Sequence, residues 1–550
     1  MTTIDQLVRA RQDDPSPALY FEDQCFSHEA MVQASSDRAG YLMDNLDPAR
    51  PPHVGVLLDN VPEFPMWLGA AALSGSVVVG INPTRRGAEL ARDVAHTQCQ
   101  MIVTSARHLH LVEALGPAQA GLATVLVADS GDPAGSADQF PRCELAEPCT
   151  TESSLFLLLF TSGTTGAPKA CICSQGRLAA IAQTVAAMFS LGSSDVCYQA
   201  MPMFHSNALM AGWAPCLAAG AAGALRRRFS ASAFLPDVRR YGATYFNYVG
   251  RPLSYILATP EARDDADNPL VRVFGNEGGE LDIDRFARRF GCEVVDSYGS
   301  TEGGVSVARS PGMPSGALGR ASAATAVLDS DTAKECPPAI FSPDGVLLNA
   351  DLAVGELVDR SGAVGFEGYW DNQEASRARV RDGIYWSGDL AYRDAQGWLY
   401  FAGRDYDWLR VDGENFAAAP VERILSRFPG VVLAAVYAVP DPEIGDQVMA
   451  GLQLEPGARF DPRAFKAFLD QQSDLGTKWA PRLVRLCPEI PLTQTNKILK
   501  RQLRSESWRT ADPMWWRPDK DGPYVGFGPP QATALGNVMA ANGRGHLIGL

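Results

Sequence analysis

The chain has 550 residues, of which 46% are hydrophobic and 20% are charged, and its formal net charge at pH 7 is -15. This length predicts several domain-sized units around a large core, and the acidic balance excludes a general nucleic-acid-binding or anionic-membrane surface. Eleven cysteines without a CxxC motif or a Cys/His ligand set indicate reduced thiols in a cytoplasmic protein and argue against a zinc site.

The N-terminal third alternates short apolar strands with amphipathic helices. It begins MTTIDQLVRARQDD, with early acidic residues and no apolar stretch, so we expect no signal peptide. The alternation over residues 17–105 is typical of an α/β parallel sheet. Residues 65–81 and 208–225 are apolar but interrupted by serine, glycine or proline. We expect each to be a core helix that leads into a strand rather than a membrane span, and peripheral membrane contact stays open.

The most informative stretch is an apolar run, Leu155–Phe160, followed by TSGTTGAPK. Such a run predicts a strand covered on both faces. The hydroxyls, glycines and lysine after it suit phosphate binding, although this is not a Walker A sequence, since proline precedes the lysine and no Ser or Thr follows it. We expect a hairpin-like loop with a return strand at 170–173 and a helix capped by Ser174. A plain linker is the alternative. The candidate phosphate-binding residues are Thr161, Ser162, Gly163, Thr164, Thr165, Gly166 and Lys169.

Residues 201–249 contain the candidates for an acyl pocket. His205 lies at the centre of MPMFHSNALM, either as a gate at the edge of an acyl or nucleotide pocket or as a packed structural residue. The strand-like segment ATYFNYV places Asn247 and Tyr248 where they can line a hydrophobic pocket. The basic run at 226–228 either meets an anionic ligand such as the phosphates of coenzyme A or is a solvated strand end.

Two further loops each follow an apolar strand, as the 161–169 loop does. One contains Gly275, Asn276, Glu277 and Gly278, and the other contains Tyr298, Gly299, Ser300, Thr301 and Glu302. Ligands of α/β sheets bind beyond the carboxyl ends of the strands, so these loops and the 161–169 loop are expected to converge on one nucleotide. Backbone and an aromatic ring suit a base, Thr301 a phosphate oxygen and Glu302 a magnesium ion.

The predicted secondary-structure pattern changes at two points in the C-terminal part of the chain. Residues 319–402 carry short β-rich pieces that predict a small barrel or sheet, and Asp389 in it is either a ribose-binding carboxylate or part of a surface turn. Residues 403–415 mark a boundary before a second α/β pattern of about 100 residues. Lys497 follows on a loop, where it is either a surface lysine or a mobile charge for a polyphosphate. The predicted divisions are 1–403, a hinge at 404–407, 408–525 and a flexible tail at 526–550.

In their order and spacing, FTSGTTGAPKA, YGSTEGG, WSGDL, Gly403-Arg404 and the late Lys497 loop resemble the ATP-dependent acyl-adenylate-forming enzymes, which include acyl-CoA synthetases. The residues at 413–415 and 226–228 and the SYGSTEG stretch look similar to the fatty acid transport protein and very-long-chain acyl-CoA synthetase branch. The resemblance implies an α/β fold with a large multi-subdomain N-terminal domain, made of two parallel-rich αβ layers and a small β-barrel. It also implies a mobile, smaller α+β C-terminal domain.

The resemblance also implies a reaction and its participants. A carboxylate attacks the α-phosphorus of MgATP to give an acyl-adenylate, and coenzyme A then displaces AMP. The 161–169 loop would hold the β- and γ-phosphates, Gly275–Gly278 and Tyr298 would frame adenine, and Asp389 and Arg404 would contact the ribose or a phosphate. Thr301 would contact the α-phosphate and Glu302 would hold Mg²⁺. Lys497 would bridge the acyl carboxylate and the α-phosphate, and the small domain would turn about Asp405 and Tyr406.

Three functions fit these observations. The first is an acyl-CoA synthetase for a medium-to-long or ring-bearing apolar acid. The second is a ligase that stops at the adenylate or passes the acyl group to a carrier protein. The third is a non-catalytic lipid-binding or uptake protein, against which Lys497, Glu302 and Asp389 weigh. A homodimer is a further expectation.

Overall fold

The computed structural model describes residues 2–85, 87–116, 122, 124–129, 140–161, 169–309, 312–314, 316–342, 347–362, 365–404, 408–411, 414–442, 446–472, 475–476, 478–492, 498–519, 522–542 and 544–545. The chain divides into two compact units, each held together by its own internal contacts. The first comprises Met1–Gly304 and Ala363–Val380, and the second comprises Val305–Gly362 and Arg381–Leu550. The predicted boundary at 403 and the hinge at 404–407 stay predictions, because residues 405–407 lie outside the described part of the chain.

The described helices are α1 Ile4–Arg9, α2 His28–Asn45, α3 Glu63–Ser74, α4 Gly87–His96, α5 Leu109–Glu113, α6 Gln175–Met188, a π-helix Ala208–Trp213, α7 Ala214–Ala219, α8 Ala231–Tyr241, α9 Pro252–Leu257, α10 Glu280–Phe290, α11 Ala350–Ala353, α12 Gln373–Arg379, α13 Ala418–Leu425, α14 Pro462–Asp470, α15 Lys500–Glu506 and α16 Pro529–Ala541.

The described strands are β1 Pro17–Phe21, β2 Gln24–Ser27, β3 His53–Leu57, β4 Val77–Gly80, β5 Met101–Ser105, β6 Thr124–Asp129, β7 Leu155–Thr161, β8 Lys169–Ser174, β9 Val196–Gln199, β10 Ala222–Leu225, β11 Tyr245–Val249, β12 Arg272–Asn276, β13 Glu293–Tyr298, β14 Val307–Ala308, β15 Ala317–Arg320, β16 Thr325–Leu328, β17 Gly355–Asp359, β18 Val380–Arg381, β19 Ile384–Arg393, β20 Trp398–Arg404, β21 Trp408–Val411, β22 Glu414–Ala417, β23 Val431–Pro440, β24 Asp446–Leu454, β25 Leu483–Leu486, β26 Met514–Trp516 and β27 Val525–Phe527.

The first unit is built on two sheets that are mostly parallel. In one sheet the strand order is β6-β5-β3-β4-β7-β8, and all neighbours are parallel except the β7–β8 hairpin. In the other, seven strands of this unit follow the order β13-β12-β11-β9-β10-β1-β2, parallel except for β1–β2. Strands β3, β4, β5 and β11 are buried along their whole length, as expected of continuous apolar strands covered by helices on both faces. The predicted α/β class is therefore confirmed.

The two long apolar stretches form buried elements, as predicted. Residues 65–81 comprise most of α3 and then β4, and Gly75 ends α3 in the left-handed region with φ 73°. Residues 208–225 form the π-helix, α7 and β10. None of the described helices is both long and apolar enough to cross a bilayer. The π-helix itself was not predicted.

The second unit contains three separate sheets. Strands β15-β20-β19-β17-β16 form an antiparallel sheet, with β18 paired to β19, so the β-rich pattern predicted at 319–402 is confirmed. Strands β21 and β22 form a hairpin. Strands β23-β24-β25-β26-β27 form a mixed sheet in which only β24 and β25 are parallel. The second α/β pattern predicted after residue 415 is present and begins with α13, β23, β24, α14 and β25.

Part of the predicted flexible tail is ordered, which corrects that expectation. Residues Pro529–Ala541 form α16, with proline in the first turn. Leu535 and Met539 are buried and belong to the core formed by β23, β24 and α15. These two side chains are four positions apart and therefore lie on one face of the helix. Packing of that face, rather than overall polarity, decides the structure of this segment.

Candidate active site

The site begins at the β7–β8 hairpin of the first unit. Phe156–Leu159 are buried in β7, and Thr161 at its end lies opposite Lys169, the first residue of β8. The hairpin geometry and the return strand are thus as predicted. Ser174 caps α6, since its side chain accepts a hydrogen bond from the Arg177 amide. The remaining loop candidates, Ser162, Gly163, Thr164, Thr165 and Gly166, lie outside the described residues.

A distant segment, residues 368–370, pairs with the free edge of β8. The Ile172 amide donates to the Gly368 carbonyl at 3.0 Å, and the Trp370 amide donates to the Ala170 carbonyl at 2.8 Å. This pairing brings Tyr369 to the mouth of the hairpin, where the Lys169 ammonium lies 5.2 Å from the centre of the tyrosine ring. That distance is within the range of a cation–π interaction.

Tyr369 also connects the hairpin to Glu302. The Tyr369 hydroxyl donates a hydrogen bond to the Glu302 carboxylate at 3.1 Å, and Arg379 Nε donates to the same hydroxyl at 3.2 Å. Glu302 is 9% exposed. Burial lowers the pKa of Lys169, and the charge of Arg379 lowers this pKa further, whereas the charge of Glu302 raises it. The described residues therefore form a compact group with two cations, one carboxylate and an aromatic ring between them.

Thr301 is held by hydrogen bonds to both its side chain and its backbone carbonyl. Its hydroxyl lies 2.7 Å from the Ser206 hydroxyl, and its carbonyl accepts a hydrogen bond from Arg177 Nη2 at 2.7 Å. Arg177 Nη1 also donates to the Ile172 carbonyl at 2.8 Å, which ties the Thr301 loop to β8. The 298–302 loop therefore lies beside β8 and Lys169, the described end of the 161–169 loop. The convergence of the predicted loops on one nucleotide stays a prediction.

The third predicted loop is organised by Asp296. Its carboxylate accepts hydrogen bonds from the Tyr248 hydroxyl at 2.6 Å and from the Gly278 amide at 2.9 Å. A Cβ atom at Gly275 would come within 2.5 Å of the Tyr248 ring and carbonyl, so only glycine fits there. Glu277 has a positive φ of 64°, which is uncommon for a residue other than glycine and is typical of functional loops.

The predicted acyl-pocket residues lie on β11 and just before the π-helix. Tyr248 is fully buried and Asn247 is 1% exposed. The Asn247 amide donates to Asn207 Oδ1 at 2.9 Å, and Asn207 Nδ2 donates to the Tyr248 carbonyl at 3.0 Å. The His205 ring packs on Phe204 with centroids 4.2 Å apart. Their role in acyl binding stays a prediction.

The basic run at 226–228 is paired with carboxylates. Arg226 binds Asp237 at 2.5 Å, Arg227 lies 3.4 Å from Glu22, and Arg228 lies 3.2 Å from Asp59. This arrangement is that of a solvated strand end, the second of the two interpretations of the run.

In the second unit, Asp389 and Arg404 lie opposite each other in the β19–β20 pair. Asp389 is 5% exposed, and its amide donates to the Ser387 hydroxyl at 3.1 Å. Gly403, just before Arg404, has a φ of 103° that favours glycine. The hinge candidates Asp405 and Tyr406 lie outside the described residues.

We expect Asp389→Asn to raise the KM for ATP about 10-fold to 100-fold, because a charge-assisted hydrogen bond contributes about 1.5–3 kcal/mol. The measurement is steady-state kinetics with ATP as the varied substrate. The matched control is Asp382→Asn in the turn between β18 and β19, where the aspartate is exposed at a φ of 51° that asparagine tolerates. An unchanged KM for ATP in Asp389→Asn would contradict a ribose-binding role.

Lys497 also lies outside the described residues, but the two ends of its loop are defined. Leu492 and Ile498 form a β-bridge, and the Leu499 amide donates to the Pro491 carbonyl at 2.8 Å. Directly after it, Lys500 pairs with Glu422 at 2.8 Å. The loop therefore starts and ends at a fixed base in the second unit.

Four residues near the predicted site were missed in the sequence: Arg177, Ser206, Tyr369 and Arg379. Ser206 lies in the MPMFHSNALM stretch directly after His205, so the reasoning that made His205 a candidate could also have included Ser206. Tyr369 carries no local signal, because pairing of residues 368–370 with β8 brings it to the site. Arg379 reaches the Tyr369 hydroxyl from the end of α12. Burial raises the pKa of Cys171 and Cys173, next to this site, to about 12, so neither thiol supplies a nucleophile at neutral pH.

Lys169, Tyr369 and Glu302 meet where the β7–β8 hairpin opens on a mostly parallel sheet, and a separate α+β segment follows later in the chain. This arrangement agrees with the nucleotide-dependent class of enzyme that the sequence predicts. Residues 8–370 match the family model for AMP-binding enzymes, and residues 420–497 match that for the AMP-binding enzyme C-terminal domain. The chain belongs to the AMP-binding enzyme family, which confirms the resemblance noted in the sequence.

Several relatives are similar over nearly the whole chain. Medium/long-chain-fatty-acid–CoA ligase FadD17 of Mycobacterium tuberculosis is 49% identical, covering 93% of this chain and 98% of the relative. Steroid-22-oyl-CoA synthetase of Rhodococcus jostii is also 49% identical, over 94% of this chain and 93% of the relative. Long-chain fatty acid transport protein 1 of Bos taurus is 28% identical over 90% of this chain and 81% of the relative, which supports the predicted branch.

Solved structures share the fold at lower identity. The anthranilate CoA ligase AuaEII in complex with anthranoyl-AMP has a TM-score of 0.79 and 21% identity, covering 92% of this chain and 96% of its own. At this identity the likeness establishes the fold, which agrees with the predicted large and small domains.

Proposed function

We propose that this protein is an ATP-dependent acyl-CoA synthetase that activates an apolar carboxylic acid. In the first step a carboxylate oxygen of the acid attacks the α-phosphorus of ATP, the bond to the β-phosphate breaks, and pyrophosphate leaves. In the second step the sulfur of coenzyme A attacks the acyl carbon, and AMP leaves. The observation that carries the proposal is the Lys169–Tyr369–Glu302 group at the mouth of the β7–β8 hairpin.

The electrostatics of the first step call for such a group. A carboxylate that approaches a polyphosphate is repelled by it, and nearby cations and hydrogen-bond donors must offset that repulsion. Lys169 and the loop before it are suited to the leaving pyrophosphate, and Thr301 is suited to the α-phosphate. Lys497 is proposed to supply the charge at the reacting phosphorus. No protein nucleophile takes part.

The reaction uses ATP, Mg²⁺ and coenzyme A. Among the described residues, no three His, Cys, Asp or Glu side chains are grouped as a metal site. A single buried carboxylate fits Mg²⁺, which is usually held by one or two carboxylates together with substrate phosphates and water. Glu302 is the residue proposed to hold it, and Asp389, Arg404, Gly275–Gly278 and Tyr298 are proposed to bind the nucleoside.

The acid is proposed to be apolar and of medium to long chain length, or ring-bearing. This rests on the two relatives at 49% identity, one named for medium- and long-chain fatty acids and the other for a steroid-22-oyl group. His205, Asn247 and Tyr248 are proposed to border its pocket. A cytoplasmic location, peripheral membrane contact, a homodimer and transfer to an acyl-carrier protein stay predictions from the sequence.

The proposal is tested by incubating the protein with ATP, Mg²⁺, coenzyme A and a panel of fatty, aromatic and steroid-derived acids. We expect pyrophosphate release together with acyl-CoA for at least one class of apolar acid. Acyl-AMP that accumulates in the presence of coenzyme A would contradict the thioester step and favour a carrier protein as acceptor. Absence of pyrophosphate release with every acid would contradict catalysis altogether.

A further inference from the structure

We propose that Arg379, at the end of α12, is a second phosphate-binding cation that acts with Lys169 on the pyrophosphate end of ATP. The inference rests on the proposed function and assigns a residue outside the 161–169 loop to the leaving group. Nothing in the local sequence, QEASRARV, distinguishes this arginine from its neighbours. Its position in the fold does.

The geometry places Arg379 beside the residues already discussed. Its Nε donates to the Tyr369 hydroxyl at 3.2 Å, and that hydroxyl donates to Glu302 at 3.1 Å. The face of the same ring lies 5.2 Å from the Lys169 ammonium. One tyrosine therefore contacts the carboxylate and both cations, at the end of the predicted phosphate-binding loop, of which Lys169 is the last residue.

The charges of this group favour an anionic ligand. The charge of Arg379 lowers the pKa of Lys169 and the charge of Glu302 raises it, so both side chains lie close enough to act on the lysine. Two cations and one carboxylate give this group an excess of positive charge. Two cations near each other repel, and a polyphosphate between or beside them removes that repulsion. Arginine is well suited to this role, since its planar guanidinium matches two phosphate oxygens. The half-buried position of Arg379 leaves it reachable by a substrate.

The alternative is that Arg379 only fixes the Tyr369 ring. The two roles differ in which half-reaction they affect. Pyrophosphate takes part in adenylation and in its reversal, but it takes no part in thioester formation from acyl-AMP. A phosphate-binding residue therefore affects the first reaction alone, and a residue that holds the site together affects both.

The test uses the reverse half-reaction, in which acyl-AMP and pyrophosphate give ATP and the free acid. We expect Arg379→Gln to raise the KM for pyrophosphate about 10-fold to 100-fold, as for loss of a hydrogen bond to a charged group. Acyl-CoA formation from the same acyl-AMP should stay within about 2-fold, a change that corresponds to less than 1 kcal/mol. Arg379→Lys keeps the charge but not the planar guanidinium, and it should recover part of the affinity for pyrophosphate.

The matched control is Arg377→Gln, because Arg377 is exposed on the same helix and hydrogen-bonds Gln373, one turn earlier. It removes the same charge and should leave the KM for pyrophosphate unchanged. An unchanged KM in Arg379→Gln, or an equal loss in both half-reactions, would overturn the inference. If Arg379→Gln does not fold, the KM for pyrophosphate is measured with Arg379→Lys instead. If Arg379→Lys binds pyrophosphate as weakly as a Tyr369→Phe variant does, Arg379 only positions Tyr369.

A binding measurement separates this inference from the proposed function. Calorimetric titration with magnesium and α,β-methylene-ATP requires no acid and no turnover. If α,β-methylene-ATP binds Arg379→Gln more weakly than Arg377→Gln, the phosphate contact is supported, even if no acid yields acyl-CoA. Equal binding to both variants would overturn it even if the wild-type protein is an active synthetase.

Discussion

Lys497→Ala is expected to reduce adenylation by about 10²-fold to 10³-fold, the usual effect of removing one group that stabilises transition-state charge. When the acid attacks the α-phosphorus, negative charge accumulates where a carboxylate and a polyphosphate already repel each other. An ammonium at that point lowers the barrier, and methyl cannot replace it. The measurement is pyrophosphate release with saturating ATP and acid.

The second half-reaction provides the contrast. With acyl-AMP supplied, coenzyme A attacks an acyl carbon and AMP leaves, so no polyphosphate charge has to be offset. We expect Lys497→Ala to keep most of this rate. Lys466→Ala is the matched control in the same part of the chain, because Lys466 pairs with Asp470 one turn later on α14 and such i,i+4 pairs contribute little. Equal losses in both half-reactions would contradict the domain movement that the family resemblance implies, in which the small domain turns about Asp405 and Tyr406 and withdraws Lys497 before the thioester step.

Local patterns were sufficient to predict the elements that frame the site. The apolar run before Thr161 identifies β7, the turn cluster and the return strand identify the hairpin, and Ser174 identifies the start of α6. Each of these signals lies within a few residues of the element it predicts. The order of the loops along the chain, together with the family resemblance, then linked them to one nucleotide.

The features that were missed depend on contacts between distant residues. Pairing of Gly368 and Trp370 with β8 follows from the fold and from no periodicity near residue 369. The π-helix at 208–213 is equally invisible in the sequence, because its six residues, ALMAGW, are all apolar or glycine and carry no periodicity that distinguishes it from an α-helix. For α16 a signal existed, namely Leu535 and Met539 four residues apart after Pro529, but the glycine, alanine and asparagine content around it concealed the pattern.

The Glu302–Tyr369 contact allows the roles of the carboxylate and of its hydrogen bond to be separated. Glu302→Gln keeps an oxygen that accepts from the Tyr369 hydroxyl but removes the charge that binds Mg²⁺. Tyr369→Phe keeps the carboxylate and the ring beside Lys169 but removes the hydrogen bond. If the carboxylate acts as a metal ligand, the first variant must be much more affected than the second.

We expect Glu302→Gln to lower turnover by about 10²-fold to 10³-fold and to raise the Mg²⁺ concentration needed for half-maximal activity. Tyr369→Phe should lose about 10-fold, in line with one hydrogen bond of about 1.4 kcal/mol to a charged group. The measurement is the adenylation rate at saturating ATP while Mg²⁺ is varied, with Glu374→Gln on the exposed first turn of α12 as the control. A Mg²⁺ dependence in Glu302→Gln identical to that of the wild type would exclude the ligand role. In that case Glu302 would act only by holding Tyr369 between the two cations, and the losses in Glu302→Gln and Tyr369→Phe should then be similar.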